Sequence, residues 1–402
     1  MNRIREDRVF QALDRFAIEL PSWGFADTGT RFGKFFQDAA ASTIEEKLHD
    51  AGLVHRLTGA CPTVAVHVLW DFEPGQDPKQ VARLARKHGV KIGAINPNVF
   101  QDQGYKLGSF CSPSARARQA AVDHTLESIQ IGKAVGSKAL SMWLADGTNY
   151  PGQDSFYRRK HHLQRALKQI HDRMARTWPG ATLLIEYKPF EPAFYHTDIA
   201  DWGMAYVLCK HAGKRAKVLV DTGHHLPGAN IEHLVAFLLD EGMLGGFHFN
   251  DRKYADDDLT LGSIDPYAVF RIFDQILQYE FEKGRVAPIA YMVDQSHNLK
   301  PKLEAMVQTV MEAQKLYTKA LLVDRKALAT AQQRGDIVAA ERTLRTAFDT
   351  DVTPLLARWR REHDLPKDPL EELRRSGIIA RLSKERAAAR RASGTQRQAA
   401  YA

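Results

Sequence analysis

Two stretches of this 402-residue chain carry the residue types best suited to chemistry. One reads V-L-V-D-T-G-H-H from Val218 to His225, and the other G-G-F-H-F-N-D-R-K-Y-A-D-D-D from Gly245 to Asp258. In each, an apolar run of β character ends in acids and histidines. The first delivers Asp221, with His224 three residues on. The second sets His248 between Phe247 and Phe249, with Asp256 and Asp258 in the loop beyond. Carboxylate oxygen together with imidazole nitrogen is a ligand set for Mn²⁺, Zn²⁺, Co²⁺ or Mg²⁺. The two stretches predict a metal site for two divalent ions per chain, provided the strands that carry them are parallel neighbours.

Elsewhere the chain shows the rhythm that would make them so. Strand-like runs are expected at Leu20 to Gly24 (weak), Thr63 to Leu69, Val90 to Ile95, Lys138 to Leu144, Thr182 to Ile185, Val218 to Asp221, Leu244 to Asn250 and Pro288 to Val293. Helical patterns separate them: 4–18, Thr43 to Ala51, Pro78 to His88, Ser114 to Val135, Ser155 to Trp178, Asp198 to Ala212, Ile231 to Leu239, Asp265 to Tyr279 and Lys302 to Leu316. Strands alternating with helices at this spacing imply parallel βαβ units. Eight of them predict a closed (β/α)8 TIM barrel over residues 1–320. An open doubly wound sheet is the alternative, but no G-x-G-x-x-G or G-x-x-x-x-G-K-[ST] marks a strand-to-helix turn. Residues 317–391 are helix-forming throughout, so 321–402 is expected to be a C-terminal α-helical extension, frayed at its Ala-, Arg- and Gln-rich end.

A parallel barrel brings the C-terminal ends of its strands to one rim, where active sites lie. The polar residues expected there are His67 and Asp71, Asn96 and Asn98, Trp143 and Asp146, Glu186 and Lys188, Asp221 and His224, His248 and Asn250, and Asp294. Any one has an ordinary reading: a strand-end Asp is commonly a helix cap, an interior His a satisfied core residue, and Asp256-Asp257-Asp258 a solvated loop. Jointly they converge. Glu186, Asp221, His248 and Asp294 come from four successive strand ends and can surround one ion. Asp221, His224, Asp256 and Asp258 can surround a second, with Asp221 as the bridge. Lys188 shares the face of Glu186 two residues away. There it would polarise a substrate oxygen or donate a proton, the plainer alternative being a structural ion pair. Trp23, Phe100 and Trp143 offer flat faces suited to the C–H side of a sugar, or to core packing.

Composition sets outer bounds. Apolar residues make up 44% of the chain, enough for a large core, and the net charge is +8. Much of that excess lies after Asp364 and reads as a solvated basic tail. The three cysteines, Cys61, Cys111 and Cys209, form no C-x-x-C pair and no disulfide framework. No apolar run is long enough to span a bilayer, and the N-terminus lacks a signal-peptide core. A soluble cytoplasmic protein is expected, with neither membrane nor nucleic acid as partner.

Taken in order, these motifs resemble a family. E-x-K at Glu186, D-x-G-H-H at Asp221, G-G-F-H-F-N-D-x-K-Y-x-D-D-D at Gly245 and D-Q-S-H-N at Asp294 are similar to the broad-specificity bacterial L-rhamnose isomerases, of the xylose-isomerase-like barrel group. P-S-W-G at Pro21, G-T-R-F at Gly29, H-x-x-W-D at His67, G-S-K-A-L at Gly136, D-G-x-N-x-P-G-Q at Asp146 and E-P-A-F-Y at Glu191 agree. The resemblance covers roughly residues 20–320. It implies an aldose–ketose isomerase interconverting L-rhamnose and L-rhamnulose, usually homotetrameric and using Mn²⁺, Co²⁺ or Zn²⁺. It places the structural metal on Glu186, Asp221, His248 and Asp294, and the catalytic one on Asp221, His224, Asp256 and Asp258. It puts Lys188 at the substrate oxygens and His67 near the sugar's ring oxygen. The expected catalytic residues are thus Lys188, His67 and Asp294. His67, Trp143, Lys188, Trp23 and Phe100 are expected to bind the sugar. The flanks at Phe25-Ala26-Asp27 and Asn96-Pro97-Asn98 depart from the pattern and bear on sugar preference.

Two Lewis-acidic ions on O1 and O2 favour a direct hydride shift between C1 and C2, the rival being proton abstraction to an enediol. Other functions stay open at this point. An epimerase needs acids or bases on opposite sugar faces, and pairing Glu186 with Asp294 for that gives up metal ligands. A nuclease on this barrel needs a His-richer cluster and a basic groove. A non-catalytic sugar-binding barrel needs neither a bridging Asp221 nor Lys188.

Overall fold

The computed structural model describes residues 3–30, 33–191, 195–254, 256–297 and 299–394. Eight parallel strands form one sheet in chain order: β1 (Leu20–Pro21), β2 (Thr63–His67), β3 (Lys91–Asn96), β4 (Ala139–Met142), β5 (Thr182–Glu186), β6 (Ala216–Asp221), β7 (Leu244–Phe249) and β8 (Ala290–Val293). Glu19 curls the sheet onto itself. Its N–H donates to the carbonyl of Tyr291 at 2.8 Å, and Val293 N–H donates to the carbonyl of Glu19 at 2.9 Å. The result is a nearly closed barrel of the expected class, with helices around it and a helical C-terminal region.

Strands covered on both faces must be apolar on both. In β6, Val218, Leu219 and Val220 are all fully buried. Alternate residues turn inward: Ala65, Ala94, Leu184, Leu219 and Met292 pack together with Trp23, Ala139 and Ala290 as the barrel's own core. The next inward positions toward the C-terminal ends are His67, Asn96, Ser141, Glu186, Asp221, His248 and Asp294. Below them lies hydrocarbon, so these polar groups can face only the rim.

Several boundaries differ from the sequence-based expectation for physical reasons. The first strand is only Leu20–Pro21, and Ser22–Phe25 turn into a 3-10 helix. The second stops at His67, because Val68–Asp71 form a helical turn. The helix expected to stop at Ala51 runs from Ile44 to Thr58 and ends at Gly59, φ 73°. Gly52 does not break it. A Cβ at Gly52 would lie 2.1 Å from the carbonyl oxygen of His88, so glycine there permits close helix packing. The N-terminal end is as expected: Thr43 accepts from Glu46 N–H, and the Glu46 carboxylate accepts from Thr43 N–H. The helix expected from Asp198 starts at Trp202, with Asp201 as its cap.

After the barrel, helix Lys302–Leu321 is followed by five more: Arg325–Gln333, Ile337–Asp349, Thr353–Glu362, Pro369–Arg375 and Ile378–Ser393. Charged and polar anchors tie them to the barrel. Arg386, almost wholly buried, grips both oxygens of Asp50 at 2.7 and 2.8 Å. Trp359 Nε1–H donates to Asp14 at 2.8 Å, and Arg360 to Gln314 at 3.1 Å. Residues 387–393, expected to fray, continue the last helix, and 395–402 fall outside the described residues. Among the described residues no helix is long and apolar enough to cross a membrane.

Candidate active site

The ends of β5, β6, β7 and β8 bring Glu186, Asp221, His248 and Asp294 together. One ligand-type atom from each lies within 4.8 Å of all the others. His248 Nδ1 stands 3.2 Å from Glu186 and 3.4 Å from Asp294, and Asp221 stands 4.0 Å from both His224 and His248. Two neighbours hold the carboxylates still. Asn250, at the end of the seventh strand, donates to both oxygens of Asp221 at 3.1 and 3.2 Å. Trp23 Nε1–H donates to Asp294 at 2.9 Å. Gly223 is required by this crowding: a Cβ there would meet the Asn250 side chain at 2.7 Å and Asp221 at 3.2 Å.

Burial strips these acids of hydration and holds Asp221, Asp258 and Asp294 above the usual carboxylate range, Asp221 at about 7. Burial opposes charge on His224 and His248 as well. The surrounding carboxylates outweigh it and carry His248 up to about 9. The cluster demands positive charge at its centre.

Beside it, Asp256 holds two partners. His224 Nε2 lies 2.8 Å from one carboxylate oxygen, and Lys188 Nζ donates to the other at 2.5 Å. Lys188 also donates to Glu191 at 2.8 Å and lies 5.2 Å from the centre of the Trp143 ring. Asp256 and Asp258 adopt left-handed φ of 51° and 49°. Non-glycine residues do so at a cost of about 1–3 kcal/mol each, strain that concentrates at functional sites. The second expected ligand set is therefore looser than the first, its Asp256 engaged by Lys188.

Facing the ionic side is an aromatic one. His67 packs with Trp23, Trp70 and Phe100 at centroid distances of 4.8, 4.0 and 5.9 Å, and Phe100 with Trp143 at 5.0 Å. Burial and the ammonium of Lys47 push the His67 imidazole down to about 3, so it is neutral. The two sides enclose a cavity of about 190 Å³, to which Asp258 also contributes.

The sequence profile of the xylose isomerase-like TIM barrel family matches residues 61–279. The chain belongs to the xylose isomerase-like TIM barrel family. A probable sugar isomerase of Mesorhizobium japonicum is 41% identical over 393 residues, spanning 96% of this chain and 90% of that protein. One of Rhizobium meliloti is 40% identical over 387 residues, spanning 95% and 89%. Among solved structures, a D-allulose 3-epimerase from Methylomonas sp. in complex with D-allulose shares the fold at a TM-score of 0.52 and 14% identity. That match covers 74% of this chain and 96% of that one.

In this xylose isomerase-like barrel the donor set fits a divalent ion on an observation of its own. Glu186 Oε1 and His248 Nδ1 are buried and make no hydrogen bond, although each has a charged neighbour within 3.2 Å. Buried polar atoms are normally paired. Two such atoms converging among carboxylates are what a cation would satisfy.

Three residues expected at the rim of the barrel serve its framework and do not line the cavity. Asp71 accepts from Ser22 at 2.5 Å, Lys47 at 2.6 Å and the His67 N–H at 2.9 Å, so it braces the strand end instead of facing the cavity. The helical turn after His67 is what rotates it. Asp146 accepts from Ser109 N–H and Oγ and from Cys111 N–H, all at 2.7 Å. It clusters with Cys111 and Asp198, and Arg159 neutralises that group, reaching Asp198 at 2.8 Å. Asn98 accepts from Leu69 N–H at 2.9 Å and fixes the same turn. Sequence reasoning missed Trp70 and Ser141, which line the cavity. Strand alternation alone marks Ser141, two residues before Trp143 on the same face.

Proposed function

We propose that this chain is a metal-dependent sugar isomerase that interconverts an aldose and its ketose, with L-rhamnose and L-rhamnulose as the pair. The observation that supports it most is the convergence of unsatisfied Glu186 and His248 atoms with Asp221 and Asp294, at a cavity whose other side is an aromatic wall. The sugar isomerase names of its relatives point the same way. In this reading Glu186, Asp221, His248 and Asp294 hold one divalent ion. Asp221, His224, Asp256 and Asp258 hold a second, manganese being the preferred metal and a homotetramer the assembly. When bound, the ions supply Lewis acidity at the substrate's O1 and O2.

The chain's own residues do the rest. Neutral His67 can donate or accept a hydrogen bond at the ring oxygen, which gains a proton and becomes a hydroxyl when the ring opens. Lys188 stays charged, because Asp256 and Glu191 outweigh its burial, and it donates to the substrate oxygen nearest Glu186. Trp23, Trp70, Phe100 and Trp143 cover the sugar's C–H face and exclude water. The hydrogen on C2 passes to C1 with its electron pair. The C2–H bond breaks as the C1–H bond forms, and the proton of O2 moves to O1, so the carbonyl is exchanged between the two carbons.

The test is to strip the chain of metal, add Mn²⁺ and incubate it with an aldose panel that includes L-rhamnose. Metal-dependent formation of the matching ketose is expected. A C3-epimerised ketose, or sugar binding with no turnover, would overturn the reading in favour of an epimerase or a binding protein.

A further inference from the structure

The inner face of β4 carries one group that neither the ion cluster nor the packing accounts for. Ala139 belongs to the hydrocarbon core of the barrel, and Trp143 lines the cavity. Ser141 lies between them on the same face, 1% exposed, and lines the cavity together with Asn96, Trp143 and Glu186. Its Oγ has no hydrogen-bond partner, and neither does Trp143 Nε1 beside it.

A buried hydroxyl without a partner is a cost to the fold. The equivalent layer beneath shows what the packing alone accepts, since Ala65 and Ala94 fill it on β2 and β3. Serine at 141 therefore holds a hydroxyl where alanine would pack as well. A carboxylate or amine ligand would be served by charge, which the other side of the cavity already supplies. A lone hydroxyl, able both to donate and to accept, matches another hydroxyl.

We propose that Ser141 is a specificity-determining residue that hydrogen-bonds a hydroxyl of the open-chain sugar just beyond the reacting C1–C2 pair, at C3 or C4. Ser141 lies on the strand next to the one that ends in Glu186 and lines the cavity with it, so it meets the carbons next to the reacting ones, while the aromatic wall takes the far end. This rests on the sugar isomerase reading and names which part of the sugar the chain reads.

The test compares Ser141→Ala with the native chain, both loaded with Mn²⁺, on L-rhamnose and its 3-deoxy and 4-deoxy derivatives. Binding of the non-reacting alditol L-rhamnitol is followed by calorimetry. Loss of one neutral hydrogen bond predicts about a tenfold rise in KM for L-rhamnose and about tenfold weaker L-rhamnitol binding, with kcat and melting temperature little changed. The deoxy sugar that lacks the read hydroxyl should have the same kcat/KM with both chains, while the other falls with the parent sugar. An equal loss on all three sugars would make Ser141 a framework residue and overturn the proposal, as would no loss on any. Failure of the isomerase reading shows separately, as native chain that binds L-rhamnitol yet forms no ketose from L-rhamnose. The calorimetric comparison then still decides the role of Ser141. Absence of L-rhamnitol binding to the native chain overturns the proposal.

Discussion

Asp256 shares its carboxylate between two cationic groups, His224 at 2.8 Å on one oxygen and Lys188 at 2.5 Å on the other. Removing Lys188 frees one carboxylate oxygen without touching the four-residue cluster. Lys188→Met should keep the metal content of the native chain while turnover falls by about 10²–10³-fold, the range for loss of a positioned hydrogen-bond donor at a reacting oxygen. Metal analysis alongside the rate decides it. Loss of metal in the variant would mean that Lys188 is structural.

Asp221 lies at the centre of the cluster, fully buried, and Asn250 holds both its oxygens. Asp221→Asn preserves its shape and removes a carboxyl whose ionisation burial already opposes. The metal-free variant should melt a few degrees below the metal-free native chain, because its amide nitrogen replaces an oxygen that accepts from Asn250. The rise in melting temperature that Mn²⁺ gives by binding the folded state should disappear, and activity with it. An undiminished Mn²⁺ shift would remove Asp221 from the metal site.

Lys302 is 4% exposed, and burial pulls its ammonium from 10.5 down to about 8. Below about pH 8 both folded and unfolded chains carry the proton, and the folded chain bears the whole penalty. Between pH 8 and 10.5 the unfolded chain binds more protons, so this penalty fades as pH rises. Lys302→Met should therefore gain on the native chain at pH 7 relative to pH 10.5, by about 3 kcal/mol. Urea unfolding at the two pH values measures the difference, and a pH-independent difference would contradict it.

The C-terminal helix is anchored by Arg386 on Asp50, a pair with almost no exposure. Arg386→Ala leaves a buried carboxylate alone and should cost about 3–5 kcal/mol. Pairing it with Asp50→Asn should recover much of that loss, because the stranded charge is gone. Equal stability of the single and double variants would show that the charge is not the cause.

The barrel was legible in the sequence because its signal is local. Strands buried on both faces must be continuous apolar runs, as at Val218-Leu219-Val220, and helices between them keep their own period. The metal-type cluster was legible for a related reason. Once eight parallel strands are counted, every strand end lies at one rim, so Glu186, Asp221, His248 and Asp294 had to be neighbours. What stayed hidden depends on contacts between distant parts of the chain. Asp71 turns from the rim because Lys47, 24 positions earlier, meets it there. Asp146 turns because Ser109 and Cys111 present their N–H groups to it. The helix expected to stop at Ala51 runs on through Gly52, where the backbone of a distant segment, at His88, packs against it. Ser141 gives no signal by type, since a serine in a strand is ordinary until its surroundings show the hydroxyl buried and unpartnered. Periodicity and strand-end chemistry are properties of the local chain. Which donor a carboxylate finds, and which hydroxyl finds none, is decided only when remote segments pack together and exclude water.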